Sequence, residues 1–190
     1  MSFREGIGNN GELPNNMLKS IGGDDRLYLP ASDSFLRMKK DALADGITIQ
    51  VNSSYRYCGK KGDFKERKCS GGFTQWCAWE KFKAGVGNLA SDPTTSKGCK
   101  SNHGFGVAID IAPKSAQDWV KKNGVKYGWV WTGKNFSQRE DWHFDYFQEK
   151  DTLHKKSNKA RVYSIIGYST IFLTVVGLAY GFYYFTRVKK

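Results

Sequence analysis

The chain is 190 residues long, carries a formal net charge of +12, and is 39% hydrophobic and 15% aromatic, with six tryptophans. That length and aromatic content suit one packed domain with a small appendage and exclude global disorder. The charge excess points to polyanionic surroundings, whether nucleic acid, anionic lipid or bacterial wall polymer, without choosing among them.

Residues 1–32, rich in Gly, Asn and Asp, read as an irregular N-terminal arm. Asp33 and Ser34 then cap a helix running to about Asp45, with Phe35, Met38, Ala42 and Leu43 on one face and Gly46 as its stop. Ile47, Ile49 and Val51 alternate with Thr48, Gln50 and Asn52, the period of a strand. A loop follows over residues 59–72, where Lys60, Lys61, Lys65, Arg67 and Lys68 form the densest run of positive charge. A solvated loop is the plain reading of such a run. Thr74 is a suitable N-cap for a second helix, to Ala84. Turn formers (Gly87, Asn88, Asp92-Pro93, Gly98) mark residues 85–104, and Gly106–Ile111 reads as a strand. Ser115 and Asp118 have capping-box spacing for a third helix ended by Gly124, and Tyr127–Trp131 and Trp142–Phe147 are the last strands. The economical fold is α+β, a small, mostly antiparallel sheet with helices on one side.

Residues 162–185 contain no charged side chain. As a helix they would span roughly 36 Å, enough for a hydrocarbon core of about 30 Å. Lys155, Lys156, Lys159 and Arg161 flank one end and Arg187, Lys189 and Lys190 the other, with Tyr163, Tyr183 and Tyr184 at interfacial positions. The expectation is a C-terminal transmembrane helix that lodges in a lipid bilayer, joined by a basic linker (150–161) and followed by a basic tail (186–190). Basic residues at both ends leave the orientation open. The N-terminal residues carry no apolar signal-peptide core, so a C-terminal anchor is the expected membrane attachment.

Two of the three histidines lie close to a carboxylate. His103 precedes Asp110 by seven residues, and Glu140 precedes His143 by three. On the strand through residue 110, Val107, Ile109 and Ile111 point one way and Ala108 and Asp110 the other. One face thus packs while the other offers a carboxylate. Trp142, Phe144 and Tyr146 would carry the opposite face of the last strand into the core. Two imidazoles and one carboxylate are a donor set for catalytic Zn2+, leaving a position open for water. Glu140, just before the last strand, is placed to handle protons.

The motifs Ser101-x-His103-x-x-Gly106-x-Ala108-x-Asp110 and Glu140-x-Trp142-His143 resemble those of the zinc peptidases that include D-alanyl-D-alanine carboxypeptidases, D-Ala-D-Ala dipeptidases and phage L-alanyl-D-glutamate endolysins. Lysostaphin and the hedgehog N-terminal domain are similar more distantly. The resemblance implies a peptidase domain over residues 33–149 of that fold. It implies His103, Asp110 and His143 as zinc ligands, Glu140 as general base, and a peptidoglycan stem peptide as substrate. Ser53-Ser54-Tyr55-Arg56 fits the family's S-x-Y-R segment, which implies that Arg56 stabilises the oxyanion. Ser101 and Gln75 match positions that contact substrate.

Cys58, Cys69, Cys77 and Cys99 show no C-x2-C or C-x4-C spacing, which argues against a structural zinc knuckle. Two disulfides and free thiols both remain open, and spacing does not set the pairing. The leading expectation is a membrane-anchored zinc peptidase acting on the cell wall, in a phage lytic or virion-entry role, located in a virion or host inner membrane. The alternative is a non-catalytic zinc-binding recognition module, against which Glu140 and Arg56 argue. Nucleic acid is not an expected partner, since no helix-turn-helix, RNP or zinc-finger pattern accompanies the charge. Oligomeric state is not legible.

Overall fold

The computed structural model describes residues 6–70 and 72–154. The charge-free segment 162–185, its tail and most of the linker lie outside the described residues. Among the described residues no helix is long and apolar enough to cross a membrane. One compact unit ends at Thr152.

The centre of the unit is a four-stranded, wholly antiparallel sheet in the order β3 (Gln50–Ser53), β6 (Ala108–Ala112), β8 (His143–Asp151), β7 (Tyr127–Trp131). Its two faces differ as the residue alternation requires. Ile109 pairs with Phe144 and Trp129 with Tyr146, all buried, and helix α1 (Leu29–Ala44) lays Phe35 against Trp129 with ring centroids 6.1 Å apart. Ala31, Phe35, Met38 and Ala42, spaced by three and four, form the buried stripe of α1. Helix α3 (Lys114–Asn123) adds Ala116 and Val120 to the core. The other face presents Asp110, His143 and Asp145.

The structure differs from the sequence reading at several points. Residues 6–32 are no irregular arm: β1 (Leu18–Gly22) and β2 (Asp25–Tyr28) form a hairpin, and Ile7, Leu13, Leu18, Ile21 and Leu27 are buried. Helix α1 begins at Leu29 with Pro30 in its first turn, where a missing N–H costs nothing. Asp33 instead pairs with Lys19 at 2.7 Å, and the Ser34 hydroxyl donates to the Tyr127 carbonyl. The Ser115 cap is absent; α3 follows Pro113, and Asp118 pairs with Lys114 at 2.9 Å. Strand β8 runs to the buried Asp151, so the linker begins later than residue 150; there Arg37 reaches Asp151 at 2.6 Å. The loop 59–72 contains a short hairpin, β4 (Phe64–Lys65) with β5 (Lys68–Cys69).

Helix α2 (Gln75–Lys83) starts where expected, the Thr74 hydroxyl accepting from the Cys77 N–H at 3.0 Å. It does not join the other helices on one side of the sheet: Ala78 and Lys81 line the cleft on the face of Asp110 and His143. The four cysteines form two disulfides, Cys58–Cys99 and Cys69–Cys77.

Candidate metal centre

The site begins with strand register. Asp110 on β6 lies directly opposite His143 on β8, and Ala108 opposite Asp145. The neighbouring Ile111 N–H donates to the Trp142 carbonyl at 3.1 Å, which makes Asp110 and His143 a non-hydrogen-bonded pair, the closer of the two antiparallel relations. Their side chains meet with His143 Nδ1 2.9 Å from Asp110 Oδ1.

His103 arrives from a 3-10 turn over Asn102–Phe105, closed by Gly106 in the left-handed conformation (φ 65°). A Cβ on Gly106 would stand 2.6 Å from the Tyr28 nitrogen, which itself donates to the Gly106 carbonyl, so only glycine lets the turn dock on β2. His103 Nδ1 donates to the Ser54 carbonyl at 2.8 Å, which fixes the tautomer and leaves Nε2 aimed at Asp110 Oδ2, 3.4 Å away. Donor atoms of His103, Asp110 and His143 lie within 4.8 Å of one another, a group that can hold a metal ion.

The electrostatics suit a cation. Burial opposes charge on Asp110, but His103 and His143 hold its carboxyl well below the usual carboxylate range. Burial lowers the His103 pKa, keeping that imidazole neutral and able to ligate. Burial also works against a charged His143, yet Asp110 and Asp145 push its pKa up to about 9. A pocket that retains a proton between two carboxylates is one that favours positive charge.

Asp145 escaped the sequence reading. It is buried, its Oδ1 faces His143 Nε2 at 3.4 Å, and its Oδ2 accepts from Asn102 Nδ2 and Thr132 Oγ1, both at 2.8 Å. A carboxylate behind a ligating imidazole orients the ring and raises its basicity. The signal was the H-x-D spacing, which places both side chains on one face of a strand.

Glu140 is 8% exposed, and its Oε2 lies 3.9 Å from His143 Nδ1. Its backbone is clamped by the Trp131 indole donating to its carbonyl (3.0 Å) and by its own N–H donating to the Gly133 carbonyl (3.0 Å). Burial, then the Asp110 charge, raises its pKa. Arg56 follows a bulge in β3. Its Nη2 donates to Ser53 Oγ (2.8 Å) and lies 3.7 Å from Asp110 Oδ2, while its guanidinium stacks on Phe73 at 4.7 Å. Burial pulls its pKa down and Asp110 and Glu140 oppose the fall. Its buried Nε has no hydrogen-bond partner among the described residues, a donor still to be satisfied.

Arg56, Ser101, His103, Asp110, Glu140 and His143 all line one cleft of about 640 Å³, with Trp142 and Phe136. Trp142 therefore faces the cleft instead of the core. Gln75, expected to touch substrate, is turned into the protein. It is 2% exposed, its Nε2 donates to Asn10 Oδ1 (2.7 Å) and the Arg56 carbonyl (3.4 Å), and its Oε1 accepts from the Ser101 N–H (3.0 Å). It braces the site from behind.

A family model described as D-alanyl-D-alanine carboxypeptidase matches residues 25–149, beginning in β2 and so taking in part of the hairpin. Among solved structures, the chain is similar to a vancomycin-resistance D,D-pentapeptidase VanY from a VanB-type resistance cassette in complex with Zn(II). The identity is 18% and the TM-score 0.51, over 77% of this chain and 91% of that one. VanYB in complex with D-alanine-D-alanine is 19% identical with a TM-score of 0.50, over 71% of this chain and 80% of that one. No curated protein matches the sequence.

Proposed function

The chain belongs to the D-alanyl-D-alanine carboxypeptidase family, and from that premise we propose that it is a zinc-dependent peptidase hydrolysing peptidoglycan stem peptides. The observation that carries the reading is the convergence of His103, Asp110 and His143 with Glu140 and Arg56 in one cleft. Zinc bound by His103 Nε2, an Asp110 oxygen and His143 Nδ1 would polarise the scissile carbonyl and the attacking water. Glu140 takes the proton of that water and delivers it to the leaving amine nitrogen. The Arg56 guanidinium meets the negative charge that develops on the carbonyl oxygen as the carbon becomes tetrahedral. Asp145 holds the His143 ring in the tautomer that leaves Nδ1 free.

Carboxypeptidase action is favoured over endopeptidase action by Lys81 and Lys100. Both line the cleft, neither forms an ion pair among the described residues, and a free terminal carboxylate requires such charge. Ser101, on the same wall, is available to hydrogen-bond substrate. Incubating zinc-loaded protein with a muramyl pentapeptide, before and after chelation, and reading products by mass spectrometry tests this. Metal-dependent release of one D-alanine is expected; cleavage inside the stem would assign an endopeptidase, and no cleavage would refute the proposal.

The charge-free segment 162–185 supports a further part of the proposal, that a transmembrane helix tethers the peptidase to a bilayer in a phage lytic or virion-entry role. Tethering would confine wall cutting to the site of penetration. Sodium carbonate extraction of membranes from expressing cells tests the tether, and release of the full chain into the soluble fraction would refute it.

A further inference from the structure

The basic run at residues 60–68 plays no part in the cleft chemistry, yet it is not a slack loop. Lys60, Lys61, Lys65, Arg67 and Lys68 are all exposed, and none forms an ion pair among the described residues. The hairpin β4–β5 that carries them is fixed from within. The Glu80 carboxylate on α2 accepts from the Gly62 and Phe64 N–H groups at 2.6 and 2.8 Å. Asp63, 6% exposed, accepts from the Lys60 N–H (3.0 Å) and the Thr74 hydroxyl (2.7 Å), and Cys69 is bonded to Cys77. The acidic groups of this region are thus spent on holding the backbone, and apart from Glu66 only cations face outward.

The tip is more telling. Glu66 and Arg67 occupy the two central positions of the turn with φ of 49° and 61°. Two-residue hairpins with positive φ at both positions strongly favour Asn-Gly or Gly-Gly. A charged pair with Cβ atoms keeps this tip in a conformation that costs each residue strain, and strain maintained at a surface tip points to use of the side chains. The hairpin is also bonded to α2, whose Ala78 and Lys81 line the cleft. Positive charge continues inward from it, Lys81 and Arg56 standing over the Phe73 ring at 5.5 and 4.7 Å.

We propose that the β4–β5 hairpin is a docking element for the anionic wall polymer that carries the scissile peptide, holding the cleft on insoluble peptidoglycan. The inference rests on the peptidase reading above. Neighbouring stem peptides along a glycan strand repeat free carboxylates, which complement a rigid cationic finger beside the cleft. The wall polymer is favoured over nucleic acid or bilayer because the hairpin is bonded to α2, whose Ala78 and Lys81 line the same cleft that the peptidase reading gives to the wall peptide. Because the finger is pre-ordered, little conformational freedom is lost on contact. The contact is electrostatic and weakens as salt shortens the screening length from about 10 Å to about 3 Å.

The test uses the full zinc-loaded chain, the triple variant Lys61→Gln/Lys65→Gln/Lys68→Gln, and Arg67→Gly. Co-sedimentation with purified peptidoglycan is measured at low and high salt, with kcat/KM on both polymer and a soluble pentapeptide. The triple variant should lose about tenfold or more in polymer binding and in kcat/KM on polymer, at unchanged turnover of the soluble peptide. Arg67→Gly should lower polymer binding while its Tm stays level or rises, because glycine relieves the turn; an arginine whose side chain held the turn and not the polymer would instead lower Tm and leave polymer binding unchanged. Unchanged sedimentation of both variants overturns the proposal. So does a loss confined to binding of double-stranded DNA or anionic phospholipid vesicles. Absence of cleavage by the unmutated chain would count against the peptidase reading instead, since sedimentation reads docking without chemistry.

Discussion

Replacing Asp145 by Asn removes one charge and almost no volume, and its consequence can be followed atom by atom. Asp145 Oδ2 accepts from Asn102 Nδ2 and Thr132 Oγ1, and Oδ1 faces His143 Nε2. If the new amide keeps its oxygen on Asn102 and Thr132, its NH2 meets the His143 Nε2–H donor to donor. The imidazole then relieves the clash by moving its proton to Nδ1, the nitrogen that points at Asp110 and is needed for metal. If the amide flips, the two part-buried donors on Asn102 and Thr132 lose their acceptor. Both outcomes weaken metal binding, and loss of such an orienting carboxylate typically costs 10–100-fold in affinity, about 1.4–2.7 kcal/mol. Competition with a chromogenic chelator measures it, with Thr132→Ala as the control that spares the tautomer. Zinc affinity within about twofold of the unmutated protein would refute this account of Asp145.

Glu140→Gln should keep stoichiometric zinc, read by elemental analysis, and lose about 10²–10⁴-fold in kcat, since no ligand is removed but the proton carrier is; loss of metal would reassign Glu140. Arg56→Lys should lower kcat about a hundredfold with little change in KM, because a point charge cannot reproduce the guanidinium fork; unchanged kcat removes Arg56 from the chemistry. Gly106→Ala places a Cβ 2.6 Å from the Tyr28 nitrogen at a positive φ and should destabilise by about 1–3 kcal/mol, seen as a lowered Tm; a level Tm would show that the turn can relax. Removing the Cys58–Cys99 bridge as paired serines opens a loop with a sequence separation of 41 and should cost about 4 kcal/mol in chemical denaturation. A loss below about 1 kcal/mol would place the loop constraint elsewhere.

The grouping of His103, Asp110 and His143 is legible in the sequence because its parts obey short-range rules. Strand alternation separates Asp110 from Ile109 and Ile111, and two spaced motifs pin His103 and His143. Asp145 obeys the same alternation two residues beyond His143, but no motif marks it, and only the pairing of β6 with β8 brings it to the site. The N-terminal hairpin was hidden by a bulge between Ser20 and Gly22, which brings Leu18 and Ile21 inward at a spacing of three and breaks the period of two. Asp33 and Ser34 look like caps in the sequence, but α1 begins before them at Leu29 and their side chains serve Lys19 and Tyr127 across the fold. Gln75 opens α2 with its amide turned into the protein and away from the cleft. Only the tertiary positions of Asn10 and Ser101, residues remote in sequence, consume both ends of its amide.

The opposition of Asp110 and His143 has a mechanical consequence. Any ligand gripped by both is a rivet through two adjacent strands, and sliding β8 by one residue along β6 would carry His143 to the opposite face of the sheet. A loaded centre therefore resists shear of the sheet as well as serving chemistry. Amide hydrogens of β6 and β8, such as the Ile111 N–H bonded to Trp142 and the Tyr146 N–H bonded to Val107, should exchange with solvent more slowly in the loaded than in the stripped protein.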